Sequence, residues 1–205
     1  MVFLLGTMVT EDYVVRAASV ALRPLATADY PAWARLRGSS RDELVPFEPK
    51  WGDHELSRAA FRLRVKTRQR DASEDLGYAF GIFLSPDHEL TGGISLSGVR
   101  RGVTQSAELG YWMGTKFTGA GLMTEAVGAV VRYAFGQLKL HRIEAATLPH
   151  NVASIRVLEN NGFQREGLAR SYLEINGAWR DHIRFGLIES DIRAMTTSHF
   201  AGGRS

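Results

Sequence analysis

The stretch Lys116-Phe117-Thr118-Gly119-Ala120-Gly121-Leu122-Met123 sets two glycines one residue apart where an apolar helical pattern begins. A helix that opens straight from a glycine turn aims several backbone amides at one point. Its first-turn N–H groups have no intrahelical partner and its dipole favours negative charge, so a diphosphate is a natural ligand. Glycine also removes the Cβ that would keep the backbone away from such a ligand. A structural turn is the alternative, because an isolated Gly-x-Gly carries little information. About thirty residues further on, Asn151 and Ser154 stand three apart at the start of a second helical pattern. Asn at that place can cap a helix, and Ser inside one ordinarily faces solvent or bonds back to a carbonyl; either could also serve a bound ligand. Among the carboxylates, Glu108 on a strand pattern and Glu48 in a proline-rich loop are the candidate bases, each of which reads equally as a surface carboxylate. His141, His150 and His182 match no zinc spacing and read as polar or capping residues. The absence of cysteine excludes a thiolate nucleophile, a disulfide framework and cysteine-ligated zinc.

The elements that must position these groups follow from the patterning. VALRPL alternates and predicts a first strand, and TADYPAWARLR a helix with Thr27 as its cap and Pro31 in its first turn. ELVPFEPKWGD, with its prolines and glycine, predicts an ordered loop, followed by a basic helix from about His54 to Gln69. YAFGIFL and LTGGISLS flank the turn cluster SPDHE as a hairpin, and SAELGYWM adds a third strand. Leu122, Ala126, Val130, Ala134 and Leu138 recur every four residues, which predicts a central helix from about Gly119 to Leu138. RIEAATL then reads as a strand and ASIRVLENN as a short helix ended by Gly162. YLEINGAWRDHIRFGLI reads as a hairpin whose Asn176-Gly177 suits a type I′ turn. The order is a mixed α+β one, with a single parallel-type unit over 106–148. The glycine pattern is neither the dinucleotide fingerprint, which needs a third glycine, nor the nucleotide P-loop, which needs Gly-Lys before Ser or Thr.

With 205 residues, 44% of them hydrophobic, the chain is long enough for one sizeable core. The first residues have an apolar run but no basic n-region, and Glu11 and Asp12 interrupt it. We read a cytoplasmic chain with no membrane span, in which Met1 and Met8 are alternative starts. The net charge of +3 is mild. Arg58, Arg62, Lys66 and Arg70 are spaced by four and form a basic stripe on their helix, either a solvated face or a contact for RNA or an acidic surface through residues 58–70.

These motifs together carry a resemblance. Lys116 to Gly121 resembles the Gln/Arg-x-x-Gly-x-Gly/Ala coenzyme A loop of the GNAT acetyltransferases, with Lys116 where the family usually has Gln or Arg. PHNVASIRVLENNGFQREG is similar to their Asn-x-x-Ser helix and the NGF after it. YLEINGAWRDH is close to the ending of the Rim-type ribosomal-protein alanine N-acetyltransferases, and LVPFEP resembles those enzymes' P-aromatic-E-P loop. The resemblance covers roughly residues 20 to 188. It implies a mixed, mostly antiparallel six- to seven-stranded sheet flanked by about four helices. It implies a domain over 20–189, between an N-terminal extension (1–19) and a C-terminal tail (190–205). The implied cosubstrate is acetyl-coenzyme A, with no metal. Its contacts would come from Trp112, Met113, Lys116, Phe117, Thr118, Gly119, Ala120, Gly121, Leu122, Met123, Asn151 and Ser154. In the family, the strand before the glycine turn splays from its neighbour, and one of its amides meets the thioester carbonyl. The resemblance also implies that Ser154 protonates the leaving thiolate; with it, Glu108 is read here as the strand candidate for a catalytic base, and Phe47, Glu48 and Trp51 as the residues beside the acceptor.

Acetyl transfer from a thioester needs a neutral amine, a stabilised oxyanion and a proton for the thiolate. At a cytoplasmic pH somewhat above neutral, about a quarter of a protein α-amine is uncharged but only about one part in a thousand of a lysine, a difference of about 3 kcal/mol. An N-terminal acetyltransferase can therefore work with a weak base or a water. The expected function is transfer to a protein N-terminus, of the ribosomal-protein alanine type, by direct attack in a ternary complex, the enzyme being a monomer or homodimer. A small-amine acetyltransferase and a non-catalytic acyl-coenzyme A sensor are the alternatives.

Overall fold

The computed structural model describes residues 15–85 and 88–192. The readings made above of the N-terminal start and most of the C-terminal tail lie outside those residues. Eight strands form one sheet: β1 (Val15–Arg16), β2 (Val20–Arg23), β3 (Gly77–Leu84), β4 (Leu90–Arg100), β5 (Ser106–Met113), β6 (Arg142–Thr147), β7 (Gln164–Ile175) and β8 (Ala178–Ile188), in the order β1-β2-β3-β4-β5-β6-β8-β7. Five α-helices accompany them: α1 (Tyr30–Ser39), α2 (Arg41–Leu44), α3 (Arg58–Ser73), α4 (Leu122–Gly136) and α5 (Val152–Asn160). Among the described strands only β5 and β6 run parallel. The extra strand relative to expectation is the two-residue β1, too short to leave an alternating pattern; the extra helix is the single turn α2, inside the segment read as loop. β1 falls in the stretch read as an N-terminal extension and pairs with β2.

The central helix forms because its apolar residues are more than a stripe. Nine of its fifteen residues are buried, among them Ala126, Val127, Val130 and Ala134 at 0% exposure, so it lies sunk against one sheet face. Ile82, Leu96, Ala107, Ile143, Phe185 and Leu187 complete that core. On the opposite face, α1 and α3 bring Trp33, Leu36, Phe61 and Val65 against Phe83 and Leu90, a second and smaller core.

Three boundaries differ from expectation for physical reasons. Thr27 is not a cap: residues Thr27–Asp29 form a 3-10 turn ahead of α1, and Asp29 reaches back to the Ala26 amide at 2.7 Å while pairing with Arg23. The basic helix begins four residues later than expected, because Ser57 caps it by accepting from the Ala60 amide at 3.2 Å. Strand β7 begins at Gln164, well before the expected Tyr172; as an exposed edge strand it lacks the alternation that marks a half-buried one. Asn176 and Gly177 both have positive φ (47° and 78°), as a type I′ hairpin turn requires.

Candidate active site

The strand before the glycine turn loses one neighbour halfway along. β5 pairs with β4 from Ser106 out to Met113, but with β6 only from Ser106 to Glu108, while β6 continues to pair with β8 as far as Thr147. Beyond Glu108 the two parallel strands part. Gly114 donates to the Thr91 carbonyl at 2.8 Å. By the two-residue alternation of an antiparallel ladder, Trp112 and Gly110 then bond to β4, and the backbone groups of Leu109, Tyr111 and Met113 point into the gap. These are backbone groups left for something other than sheet.

A cavity of about 730 Å³ opens at this gap. It is lined by Tyr111, Trp112 and Met113 of β5, by Phe117, Thr118, Gly119, Gly121, Leu122 and Met123, and by Asn151 and Ser154 of α5. Gly119 and Gly121 both adopt left-handed backbone (φ 79° and 78°), and a Cβ on either would project into open space. Glycine is therefore demanded twice, by the backbone and by the room it leaves. Gly121 is the N-cap residue of α4 and supplies no side-chain cap, and the first intrahelical bond runs from the Glu125 amide to the Gly121 carbonyl. The amides of Leu122, Met123 and Thr124 are thus free of helical partners at the cavity wall. This is an anion cradle of the kind a diphosphate fits. Arg156 of α5 is the one Lys or Arg among the described residues lining the cavity. Sequence reasoning passed it over, since one exposed Arg on a short helix carries no signal without the cavity.

Two expected members stand elsewhere. Lys116 is turned away: its ammonium pairs with Glu89 at 2.5 Å and lies 4.6 Å above the Phe117 ring, outside the cavity lining. The departure from the family pattern thus coincides with a structural ion pair. Ala120 also lies outside the lining, between the two glycines that belong to it.

Asn151 caps α5, its Oδ1 accepting from the Ser154 amide at 3.0 Å. That bond leaves the side-chain amide nitrogen to face other partners. The Ser154 hydroxyl, half-buried at the cavity wall, pairs with another side chain and not back along its helix. It lies 2.8 Å from the Tyr111 hydroxyl, which is also 3.2 Å from the Ser154 carbonyl oxygen. Burial pushes the Tyr111 phenol up to about 12, with the Ser154 bond opposing.

A second cavity, of about 520 Å³, lies on the α1/α3 face of the sheet. Its wall includes Trp33, Arg37, Lys50, Trp51, Arg64 and Arg68, and it shares Glu48, Gly110, Tyr111 and Trp112 with the first. Glu48 is tightly held. Arg37 Nη1 and Nη2 donate to its two oxygens at 3.1 and 2.5 Å, and Trp51 Nε1 donates to Oε2 at 2.7 Å. Arg37 is buried, with its guanidinium 4.5, 4.9 and 5.7 Å from the rings of Trp51, Trp112 and Trp33. A desolvated guanidinium stacked between indoles is held by cation–π attraction as well as by its fork to the carboxylate. The loop is also tied to the hairpin turn, where the Asn176 amide donates to the Glu48 carbonyl at 2.9 Å.

Phe47 lines the first cavity rather than the second, its ring tilted against that of His150 with centroids 5.8 Å apart. Glu108 lines neither. Its side chain is 53% exposed and stands 4.0 Å from Arg100, on β5 at the last residue paired with β6. His182 is buried with Nδ1 2.9 Å from the Arg180 carbonyl and lines the first cavity. Among the described residues no group of three or more His, Asp or Glu could hold a metal ion, and no helix is long and apolar enough to cross a membrane.

A mixed sheet that parts at the parallel pair of its described strands, with a glycine-opened helix at the parting, is the arrangement the resemblance to acetyltransferases implied. The sequence matches the Acetyltransferase (GNAT) domain over residues 19–164, and the chain belongs to that family. It is accordingly an N-acetyltransferase that draws on acetyl-coenzyme A. It is 39% identical over 177 residues to the probable N-acetyltransferase YjcK of Bacillus subtilis, covering 86% of this chain and 98% of that one. It is 34% identical over 178 residues to the Escherichia coli [ribosomal protein uS5]-alanine N-acetyltransferase, covering 86% and 88%. Among solved structures, the ribosomal-protein-S5-alanine acetyltransferase of Vibrio fischeri superposes with a TM-score of 0.82 at 30% identity, covering 88% of this chain and 98% of that one. Mycobacterium smegmatis RimJ in complex with CoA-disulfide gives 0.81 at 32%, covering 90% and 91%. The similarity is to the Rim-type members of the family.

Proposed function

We propose that this enzyme acetylates the N-terminal α-amine of a protein, of the ribosomal-protein alanine class, by direct attack of the amine on acetyl-coenzyme A in a ternary complex. The observation that carries the reading is the junction of the two cavities, which share Gly110, Tyr111 and Trp112 of β5 and the loop residue Glu48. The coenzyme belongs in the larger cavity. The backbone from Gly119 to Thr124 receives its pyrophosphate, Arg156 supplies the cationic charge, and Asn151 donates to the pantetheine arm. The gap-facing amides of Tyr111 and Met113, rather than that of Trp112, are the donors aimed at the thioester carbonyl, where they stabilise the developing oxyanion.

The acceptor belongs in the smaller cavity, with Trp51 in its wall and its ammonium drawn to Glu48. With both oxygens bonded to Arg37 and one also to Trp51, Glu48 acts as an anchor for the amine more readily than as its base. A neutral α-amine is abundant enough at cytoplasmic pH for water to take its surplus proton. Nitrogen attacks the carbonyl carbon, the C–S bond breaks, and the Ser154 hydroxyl gives the thiolate its proton. Serine regains a proton from solvent, so the proton lost by nitrogen balances the one gained by sulfur. Relatives named as ribosomal-protein alanine N-acetyltransferases support the choice of acceptor. Arg37, Lys50, Arg64 and Arg68 against Glu48 and Glu55 in the acceptor wall speak against a polyamine. The exposed Arg62 and Lys66 of α3 offer the assembly a basic face.

The test is thiol release from acetyl-coenzyme A with a panel of peptides beginning in Ala, Ser, Met and Gly, beside spermidine, an aminoglycoside and free amino acids. Release with Ala- or Ser-starting peptides is expected. Release confined to the small amines would overturn the acceptor, and binding of acetyl-coenzyme A without release on any amine would point to a sensor.

A further inference from the structure

We infer that Tyr111 is a positioning residue for the proton donor: its phenol donates a hydrogen bond to the Ser154 Oγ and thereby directs the serine's own proton into the coenzyme cavity. The inference rests on the proposed role of Ser154 and goes beyond it, because it assigns work to a side chain that otherwise reads as core.

The geometry offers the two hydroxyls two arrangements. In one, Tyr111 donates to the Ser154 carbonyl at 3.2 Å, and Ser154 donates to the Tyr111 oxygen at 2.8 Å. The serine proton is then parked on the tyrosine and lost to the leaving group. In the other, Tyr111 donates to the Ser154 Oγ across the same 2.8 Å, and the serine proton is free to turn to the cavity that both residues line. For the tyrosine's own proton, the 2.8 Å contact to Oγ has the ordinary O–H···O length and the 3.2 Å contact to the carbonyl is long. Moreover the Ser154 carbonyl lies inside α5, where the helical ladder already supplies it with a donor four residues on. Sulfur developing negative charge in the cavity attracts the serine proton and selects the second arrangement.

Tyrosine suits this task better than a solvated donor. It is anchored in β5, the strand whose backbone also borders the gap, so one residue ties the oxyanion donors to the proton donor. Its burial keeps the phenol protonated across the pH range in which the amine is neutral. No proton leaves Tyr111 in the cycle; it holds a lone pair of Ser154 occupied so that the hydroxyl has one productive direction.

The test compares Tyr111→Phe, Ser154→Ala and the double variant, measured with a peptide acceptor that the wild type turns over. Tyr111→Phe keeps the ring and removes only the donor. We expect about a tenfold fall in kcat with the KM and dissociation constant for acetyl-coenzyme A unchanged, and no further fall when the change is added to Ser154→Ala. A wild-type kcat for Tyr111→Phe beside an impaired Ser154→Ala overturns the positioning role while leaving the serine role intact. An undiminished Ser154→Ala overturns the serine role, and the inference with it. Equal, multiplying losses in the two backgrounds show that Tyr111 acts independently of Ser154 and also overturn it. If Tyr111→Phe instead raises KM for acetyl-coenzyme A at constant kcat, the phenol is a binding contact and the positioning role fails.

Discussion

At the residue scale the site turns on Arg37 and Glu48. The guanidinium is all but inaccessible and has a single carboxylate partner, while its Nε is buried without a partner among the described residues. Removing one member of a buried ion pair leaves the other uncompensated, at a cost of about 3 kcal/mol or more. Glu48→Gln is therefore expected to lower stability by about 3 kcal/mol, read by urea titration, and to raise KM for the acceptor while leaving the affinity for acetyl-coenzyme A nearly unchanged. A variant with wild-type acceptor KM would remove Glu48 from amine recognition. Glu48 could be picked from the sequence because a carboxylate between two prolines stands out in a loop. Arg37 could not, since an arginine on an amphipathic helix normally snorkels to solvent, and nothing local announces the three indoles that enclose this one. Ser154 is legible from its place three residues after Asn151, whereas Tyr111 reads only as part of an apolar strand; the bond between them spans 43 positions of sequence and needs the fold.

At the element scale the junction depends on how α1 sits against the end of β5. Gly114 follows the last residue of that strand, and a Cβ there would stand inside van der Waals contact of Leu36 Cγ and Cδ1, on α1. Gly114→Ala is thus expected to push α1 outward, costing about 1–3 kcal/mol by overpacking. Because Arg37 follows Leu36, the acceptor KM should rise along with the loss of stability, measured by thermal unfolding and initial rates together. A stable variant with unchanged KM would show that α1 accommodates the methyl without moving Arg37. Patterning finds α4 and α5 by their helical period, β2 and β6 by alternation, and β3 and β4 as apolar runs on either side of a turn cluster. The parting of β5 from β6 left no such trace, since it lies in pairing rather than in either strand's own composition.

At the scale of the whole molecule, charge does on one sheet face what helices do elsewhere. Glu144 alternates with the buried Ile143 and Ala145 of β6 and points away from α4. There it pairs with Arg100 of β4, Arg142 of its own strand and Arg184 of β8, while Arg142 also reaches Glu166 of β7. Burial tends to raise the Glu144 carboxyl, but the Arg142 hydrogen bond and the attraction of Arg142, Arg184 and Arg100 outweigh it, so it is held below its ordinary value. Asp75 is likewise held low by its Arg101 hydrogen bonds, against some burial and with help from Tyr78. For carboxylates lowered in the folded state, the stabilisation is complete above the unfolded value of about 4 and is lost as pH falls through the folded one. The melting temperature should be level from pH 7 to about 5 and fall below about 4, with Glu144→Gln flattening that fall. A melting temperature that rises on acidification would contradict this.

The parting of β5 and β6 has a consequence for traffic. It perforates the sheet, so that on the proposed reading thioester and amine approach from opposite sides of a thin partition and touch only across its opening. The acetylated chain end withdraws the way it came and the spent thiol leaves by the other door, so neither departure waits on the other.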